Sequence, residues 1–327
     1  MRVLISIQQP VPQWQIPAEN VAALVARFPR IEFRHAVNDA ERASGLAWCG
    51  VAYTWMLTPS ELDHAPGLRW LHTSAAAVET LCLPELAARH VTVTNTRGVQ
   101  SVPIAEHVLA VILSFAKQLP FVLENQRVAR WAQAEFVGSR LPWLLRGRTL
   151  GLIGVGTIGL EIARRADALG MRVAAVRRRP EHGPVECVDT VFAQGQLAQL
   201  LAQTDVLVVA APLTPDTHAL IGAAELAQMK AGSYLINVGR ARIVDTDALV
   251  AALRSGHLGG ASLDVFPHEP LPSDHPLWTC PNVILTPHTS GFRAGHWDDV
   301  VEVFADNLRR YERGESLRFR VSSELGY

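Results

Sequence analysis

The stretch RTLGLIGVGTIGLEIARRADALGMRVAAVRRR, residues 148 to 179, constrains the fold more than any other part of the chain. An apolar run ending at Ile153 meets Gly154, Gly156 and Gly159 in a G-x-G-x-x-G spacing, and a helical pattern then continues to Leu169. Gly170 stands where a left-handed residue closes such a helix, and MRVAAV resumes the strand pattern to complete a βαβ unit. Each glycine answers a separate demand. The first permits a tight turn, the second lets the backbone approach a pyrophosphate, and the third lets helix and strand pack closely. The helix start at Thr157 and Ile158 offers unbonded N–H groups and the positive end of a dipole to phosphates. Glycine spacing alone is weak evidence, but a strand before it and a helix after it are the context a dinucleotide-binding turn needs.

The rest of the chain extends this pattern. VLISI (3 to 7), VTVTN (91 to 95), LGLIG (150 to 154), VLVVA (206 to 210), YLINV (234 to 238) and VILTP (283 to 287) alternate with helical segments, as in parallel α/β layers. Residues 101 to 120 read as one long buried helix, with Ala105, Val108, Leu109, Ile112, Phe115 and Ala116 on a single stripe. A further helix is expected from Asp298 to Tyr311. The tail that carries it is too short for a domain of its own, so it is expected to return to the N-terminal half. The expected fold is α/β: a Rossmann-type doubly wound parallel sheet over 101–289, and a smaller discontinuous flavodoxin-like domain from 1–100 and 290–327.

Composition bounds the partners. Lys plus Arg (30) nearly balances Asp plus Glu (31), which argues against a general nucleic-acid or membrane surface. Cys49, Cys82, Cys187 and Cys280 are widely spaced and form no Cys-x-x-Cys pair, so neither a disulfide framework nor a zinc ribbon is indicated. MRVLISIQQP loses its apolar character at Gln8, and no run of 18 apolar residues follows, so a soluble cytoplasmic protein is expected.

Cofactor choice is written after the second strand of the βαβ unit. An acidic residue commonly ends that strand and binds the adenosine ribose hydroxyls, but Arg177 stands there, followed by Arg178 and Arg179. A planar, permanently charged guanidinium suits the 2′-phosphate of NADP(H), so NADP(H) is expected to be preferred, with NAD(H) possible. For Arg179 a solvated surface charge is the simpler reading.

Three downstream segments place polar groups at strand ends: LINVGRARIVD (235 to 245), LDVFPHEPLP (263 to 272) and TPHTSG (286 to 291). If these loops converge, Glu269 fixes the tautomer of His288 and favours its charged form. His288 then protonates a carbonyl oxygen while a nicotinamide delivers hydride to the carbon, and Arg240 holds the adjacent carboxylate.

Taken together with LRWLHTSAAAVE (68 to 79), VTVTNTRG, PIAEH and APLTPDTHALIG (211 to 222), these segments make the chain resemble the D-isomer-specific 2-hydroxyacid dehydrogenase family over most of its length. The resemblance implies a catalytic set at Arg240, Glu269 and His288. It implies a nicotinamide carboxamide contact at Asp264 and cofactor-lining positions at Pro212, Thr217 and Val238. It also implies a substrate-carboxylate pocket from loops 54–55 and 74–78, including Ala76 and Ala77, and a homodimer with the long helix near 101–120 at its interface. Trp55 is a candidate pocket wall, and Trp297 is a candidate for the site or the dimer interface.

This chain departs from the family at Ala77 and Ala241, where Gly is usual, so either position would be strained if its φ were positive. The resulting expectation is reduction of a small 2-oxo acid, glyoxylate or hydroxypyruvate, to the D-2-hydroxy acid. The competing readings are a non-enzymatic NAD(P)(H) sensor or corepressor on the same fold and an NAD-dependent phosphoglycerate-type dehydrogenase. Formate oxidation fits less well, because that branch has Gln where Glu269 stands. A metal site from His268, Glu269, His275 and His288 matches no recognised ligand spacing.

Overall fold

A computed structural model describes residues 1–179, 181 and 183–322. The chain divides into two compact units, Met1–Gln100 with Phe292–Tyr327, and Ser101–Gly291. Of the C-terminal segment expected in the smaller domain, residues 323–327 lie outside the described ones.

The first unit is built on a parallel sheet of β1 (Arg2–Ser6), β2 (Glu32–His35), β3 (Val51–Thr54), β4 (Trp70–Thr73) and β5 (Thr92–Thr94). Its order, β2-β1-β3-β4-β5, is that of flavodoxin-like folds. One face packs against the helix His296–Glu312, whose Val300, Val301, Phe304 and Leu308 enter the same core as Val3, Ile5, Tyr53 and Trp70. The C-terminal tail thus returns to the N-terminal sheet. Trp297 is buried in that core, and its Nε1–H donates to the Gln13 carbonyl at 3.1 Å. This corrects its candidacy for the site or an interface: the indole belongs to the unit's packing.

The second unit carries β6 (Thr149–Ile153), β7 (Arg172–Val176), β8 (Thr190–Phe192), β9 (Val206–Val209), β10 (Tyr234–Asn237), β11 (Gly260–Leu263) and β12 (Val283–Leu285). All are parallel, in the order β12-β11-β10-β9-β6-β7-β8. This is the Rossmann order with one added strand, and its switch point lies between β6 and β9. The central strands are buried on both faces, which explains their unbroken apolar sequences. The helix Ser101–Ala116 covers one side, burying Ile104, Ala105, Val108, Leu109, Ile112 and Phe115.

That helix is shorter than expected. It stops at Ala116, Gln118 turns left-handed at φ 58°, and a separate helix, Leu119–Arg127, begins with Pro120 in its first turn. Proline donates no N–H and its ring crowds the carbonyl four residues back, here that of Ala116, so a single helix cannot run through Pro120 and the break falls just before it.

Candidate active site

The glycine turn after β6 has the geometry its spacing predicts. Gly154 takes φ +95°, and a Cβ there would lie 2.9 Å from Ala211 Cα, so no larger residue fits without backbone movement. A Cβ on Gly159 would overlap the Gly154 carbonyl oxygen, which is the close helix-to-turn packing expected of the third glycine. Gly156 differs: it caps the helix Thr157–Ala168, and a Cβ there would meet only open space. No side chain caps this helix start, so its first N–H groups face the space in front of Gly156. An uncapped helix start behind an open glycine fits a pyrophosphate.

The arginines follow β7. Arg177 is half-buried, its N–H donates to the Phe192 carbonyl at 3.1 Å, and its Nη2 donates to the Gly183 carbonyl at 2.7 Å. Arg178 and Arg179 are exposed, and Arg178 Nη2 lies 3.6 Å from Asp216 Oδ2. Pro212 and Thr217 bound the turn after β9. There the Thr217 hydroxyl donates to the Pro212 carbonyl and accepts from the Thr214 N–H, each at 2.8 Å. Val238 is buried at the end of β10, its N–H bonded to the Val209 carbonyl at 3.1 Å.

The three downstream segments leave the ends of β10, β11 and β12, which are neighbours in the sheet. Arg240 extends from the β10 end, its Nη1 donating to the Gly239 carbonyl at 2.9 Å, and Asn237 Nδ2 holds the Arg240 carbonyl at 3.1 Å. Glu269 is oriented by both of its oxygens. Oε1 accepts the Phe266 N–H at 3.0 Å, and Oε2 lies 2.8 Å from His288 Nδ1. A carboxylate can only accept, so Nδ1 carries the proton and Nε2 is left for another partner. The two side chains are 37% and 49% exposed, so the pair is accessible to a small ligand.

Asp264 explains how His288 is held. It is buried at the end of β11 and receives Thr286 Oγ1 (2.6 Å), Thr289 N (2.9 Å) and Ser290 N (3.0 Å), with Ser290 Oγ as a fourth donor. Hydrogen bonds to a charged acceptor contribute roughly 1.5–3 kcal/mol each, less when several share one carboxylate. Asp264, expected to meet the nicotinamide carboxamide, also anchors the loop that carries His288. His107, on the helix Ser101–Ala116, lies within its field: burial lowers the imidazole below its ordinary value, and the Asp264 charge partly offsets this.

In the first unit, Trp55 follows β3, with its carbonyl accepting from Thr73 Oγ1 at 3.0 Å and its ring 5.9 Å from that of Trp14. Ala76 and Ala77 are half-buried in the turn after β4, where Asn95 Nδ2 holds the Ala76 carbonyl at 2.8 Å. Neither Ala77 nor Ala241 is among the described residues with positive φ, and Ala241 opens a 3-10 turn after Arg240. Alanine is unstrained at both.

Sequence reading missed Asp216, although it lies inside the APLTPDTHALIG segment, because its partner is recognisable only once β7 and β9 are known to flank β6. It also missed the Phe266 N–H, a backbone group without a side-chain signature.

A Rossmann-ordered sheet with an open glycine turn after β6 and a Glu-oriented histidine after β12 is the arrangement of a nicotinamide-dependent oxidoreductase class. A family model for "D-isomer specific 2-hydroxyacid dehydrogenase, NAD binding domain" matches residues 109–290. The glyoxylate reductase of Thermofilum pendens is 33% identical over 274 residues, spanning 81% of this chain and 78% of that protein. Among solved structures, a D-isomer specific 2-hydroxyacid dehydrogenase from Xanthobacter autotrophicus Py2 in complex with NADPH and MES is 30% identical. It covers 99% of both chains with a TM-score of 0.83. An NADPH-dependent glyoxylate/hydroxypyruvate reductase from Sinorhizobium meliloti, in complex with NADP and sulfate, is 26% identical, with a TM-score of 0.84 over 100% of this chain and 99% of its own. The chain belongs to the D-isomer-specific 2-hydroxyacid dehydrogenase family.

Proposed function

We propose that the protein reduces a small 2-oxo acid, glyoxylate or hydroxypyruvate, with NADP(H) preferred over NAD(H), giving the D-2-hydroxy acid where the product is chiral. The observation that carries this reading is the 2.8 Å bond from His288 Nδ1 to Glu269 Oε2, with the other oxygen of Glu269 fixed by the Phe266 N–H. Glu269 holds the ring so that the protonated Nε2 donates to the substrate carbonyl oxygen. Arg240 pairs with the substrate carboxylate and draws charge from the carbonyl. When bound, the reduced nicotinamide supplies the hydride to the carbonyl carbon. The C=O becomes CH–OH, and reversal of the same steps returns the proton to His288.

The names of the relatives support the substrate class, since the curated and solved proteins above include glyoxylate and hydroxypyruvate reductases. Gly154, Gly156, Thr157, Ile158 and Gly159 are assigned to the pyrophosphate, and Pro212, Thr217 and Val238 to the walls of the cofactor site. Arg177 and Arg178, with Arg179 beside them, are assigned to the 2′-phosphate. Ala76 and Ala77 are assigned to the substrate carboxylate, with Trp55 as a wall and the first unit as the substrate domain. Exposed Val102, Leu113, Leu119, Leu123 and Trp131 support pairing into a homodimer through the region that begins at the helix Ser101–Ala116. The free thiols at Cys49, Cys82, Cys187 and Cys280 suit a reducing cytoplasm.

Initial rates of NADPH and NADH oxidation with glyoxylate, hydroxypyruvate, pyruvate and a bulky aromatic 2-oxo acid test the proposal. Turnover is expected to be fastest with NADPH and one of the first two acids. NADPH binding without turnover of any acid would favour the sensor.

A further inference from the structure

The glycine turn leaves β6, a strand with β7 on one side and β9 on the other. Arg178 comes from the loop after β7 and Asp216 from the turn after β9, so the 3.6 Å ion pair between them spans the end of β6. Asp216 is presented by a locked turn, because Thr217 bonds both Pro212 and Thr214. Gln194, just past β8, donates its Nε2–H to the Asp216 carbonyl at 3.2 Å. Loops from three strands thus meet at one residue, at the adenosine side of the crevice where parallel α/β sheets bind dinucleotides.

We propose that Asp216 is a specificity-determining residue for the cofactor: it holds Arg178 across the crevice and sets the NADPH-over-NADH ratio by competing with the 2′-phosphate for that guanidinium. The inference rests on the reading of Arg177 and Arg178 as phosphate-binding residues. A 2′-phosphate that reaches Arg178 must displace one anion and then sit beside it, so it gains less than it would from an arginine with no carboxylate nearby. A ribose diol is uncharged, meets no such repulsion, and offers hydroxyl donors to the same carboxylate. Asp216 therefore penalises NADPH and favours NADH, narrowing a preference that the arginines alone would make wide. Both side chains are exposed, which limits the effect to about two- to five-fold.

The test is a set of NADPH and NADH dissociation constants, read by nicotinamide fluorescence on the full chain at low ionic strength, where exposed charges are least screened. Asp216→Asn is expected to raise the NADPH-over-NADH affinity ratio about two- to five-fold, whereas Asp216→Glu, which keeps the charge, stays near the wild-type ratio. In an Arg178→Ala background the Asp216→Asn increment is expected to shrink. An unchanged ratio in Asp216→Asn, an equal shift in Asp216→Glu, or an undiminished increment without Arg178 would overturn the inference. The underlying reading fails separately: if Arg178→Ala alone leaves the ratio unchanged, the assignment of Arg178 to the 2′-phosphate is wrong. If Arg178→Ala lowers the ratio while Asp216→Asn leaves it alone, only the role of Asp216 is lost.

Discussion

The two units handle a histidine near the C-terminal end of a parallel sheet in opposite ways. His72, within β4 of the first unit, is fully buried, with Nδ1 2.7 Å from Thr94 Oγ1 and rings of Tyr53, Trp70 and Phe304 around it. Trp70 Nε1–H donates to the same Thr94 oxygen at 2.8 Å, so one hydroxyl bridges the indole and the imidazole. Burial pushes His72 down to about 3, and it is neutral near pH 7. His288, beyond β12 of the second unit, is half-exposed and bonded to a carboxylate. Residue type is the same in both sheets; the first neighbours decide whether it is packing or chemistry. The turns after the first strand of each unit differ likewise. β1 runs into Ile7, Gln8, Gln9 and Pro10, while β6 runs into the glycine turn, so of these two turns the second is the one whose backbone suits a phosphate.

The contrast can be broken at several points. The largest expected effect is on stability against pH. His72 has a folded-state value below that of the unfolded chain, so the unfolded chain takes up the proton first. Stability is therefore intact above about pH 6.5 and drawn down as the pH falls towards about 3, by about 5 kcal/mol in all. Urea unfolding at pH 7 and pH 4.5 should show His72→Leu losing much less stability than wild type between the two; equal losses would remove His72 as the cause. Next, Gly159→Ala is expected to lower stability by about 3 kcal/mol and to weaken NADPH binding, because its Cβ would overlap backbone. An unshifted thermal midpoint would show that the turn relaxes. Smallest is the pair Arg177→Ala with Arg178→Ala, expected to reduce NADPH-over-NADH preference by roughly 10- to 100-fold. A preserved ratio of dissociation constants would end the phosphate assignment.

Unbroken apolar runs and local motifs made most of the fold legible. Strands buried on both faces, such as β6 and β9, announce themselves as apolar runs. The edge strands β2 and β8 do not: Glu32–His35 is mostly exposed, Thr190–Phe192 is half-buried over only three residues, and neither carries a long apolar run. β11 shows only its end, LDV, because Gly260, Ala261 and Ser262 are small where the chain packs tightly against Asn282. At the site, Glu269 and His288 were readable as a pair because each falls at a predicted strand end. The four donors on Asp264 were not, since they come from residues 22 to 26 positions away whose approach depends on the β11–β12 register. The concern over Ala77 and Ala241 dissolves for a related reason: backbone φ is set by the loop as folded, and one residue's identity does not fix it.

The central claim, that the second unit's histidine is the acid of a 2-oxo acid reductase, is tested most directly by His288→Asn. NADPH binding by fluorescence and NADPH oxidation with glyoxylate would be measured on the same preparation. An unchanged dissociation constant for NADPH and a loss of turnover of about 100- to 10,000-fold are expected. Turnover within a few-fold of wild type, with NADPH still bound, would contradict it.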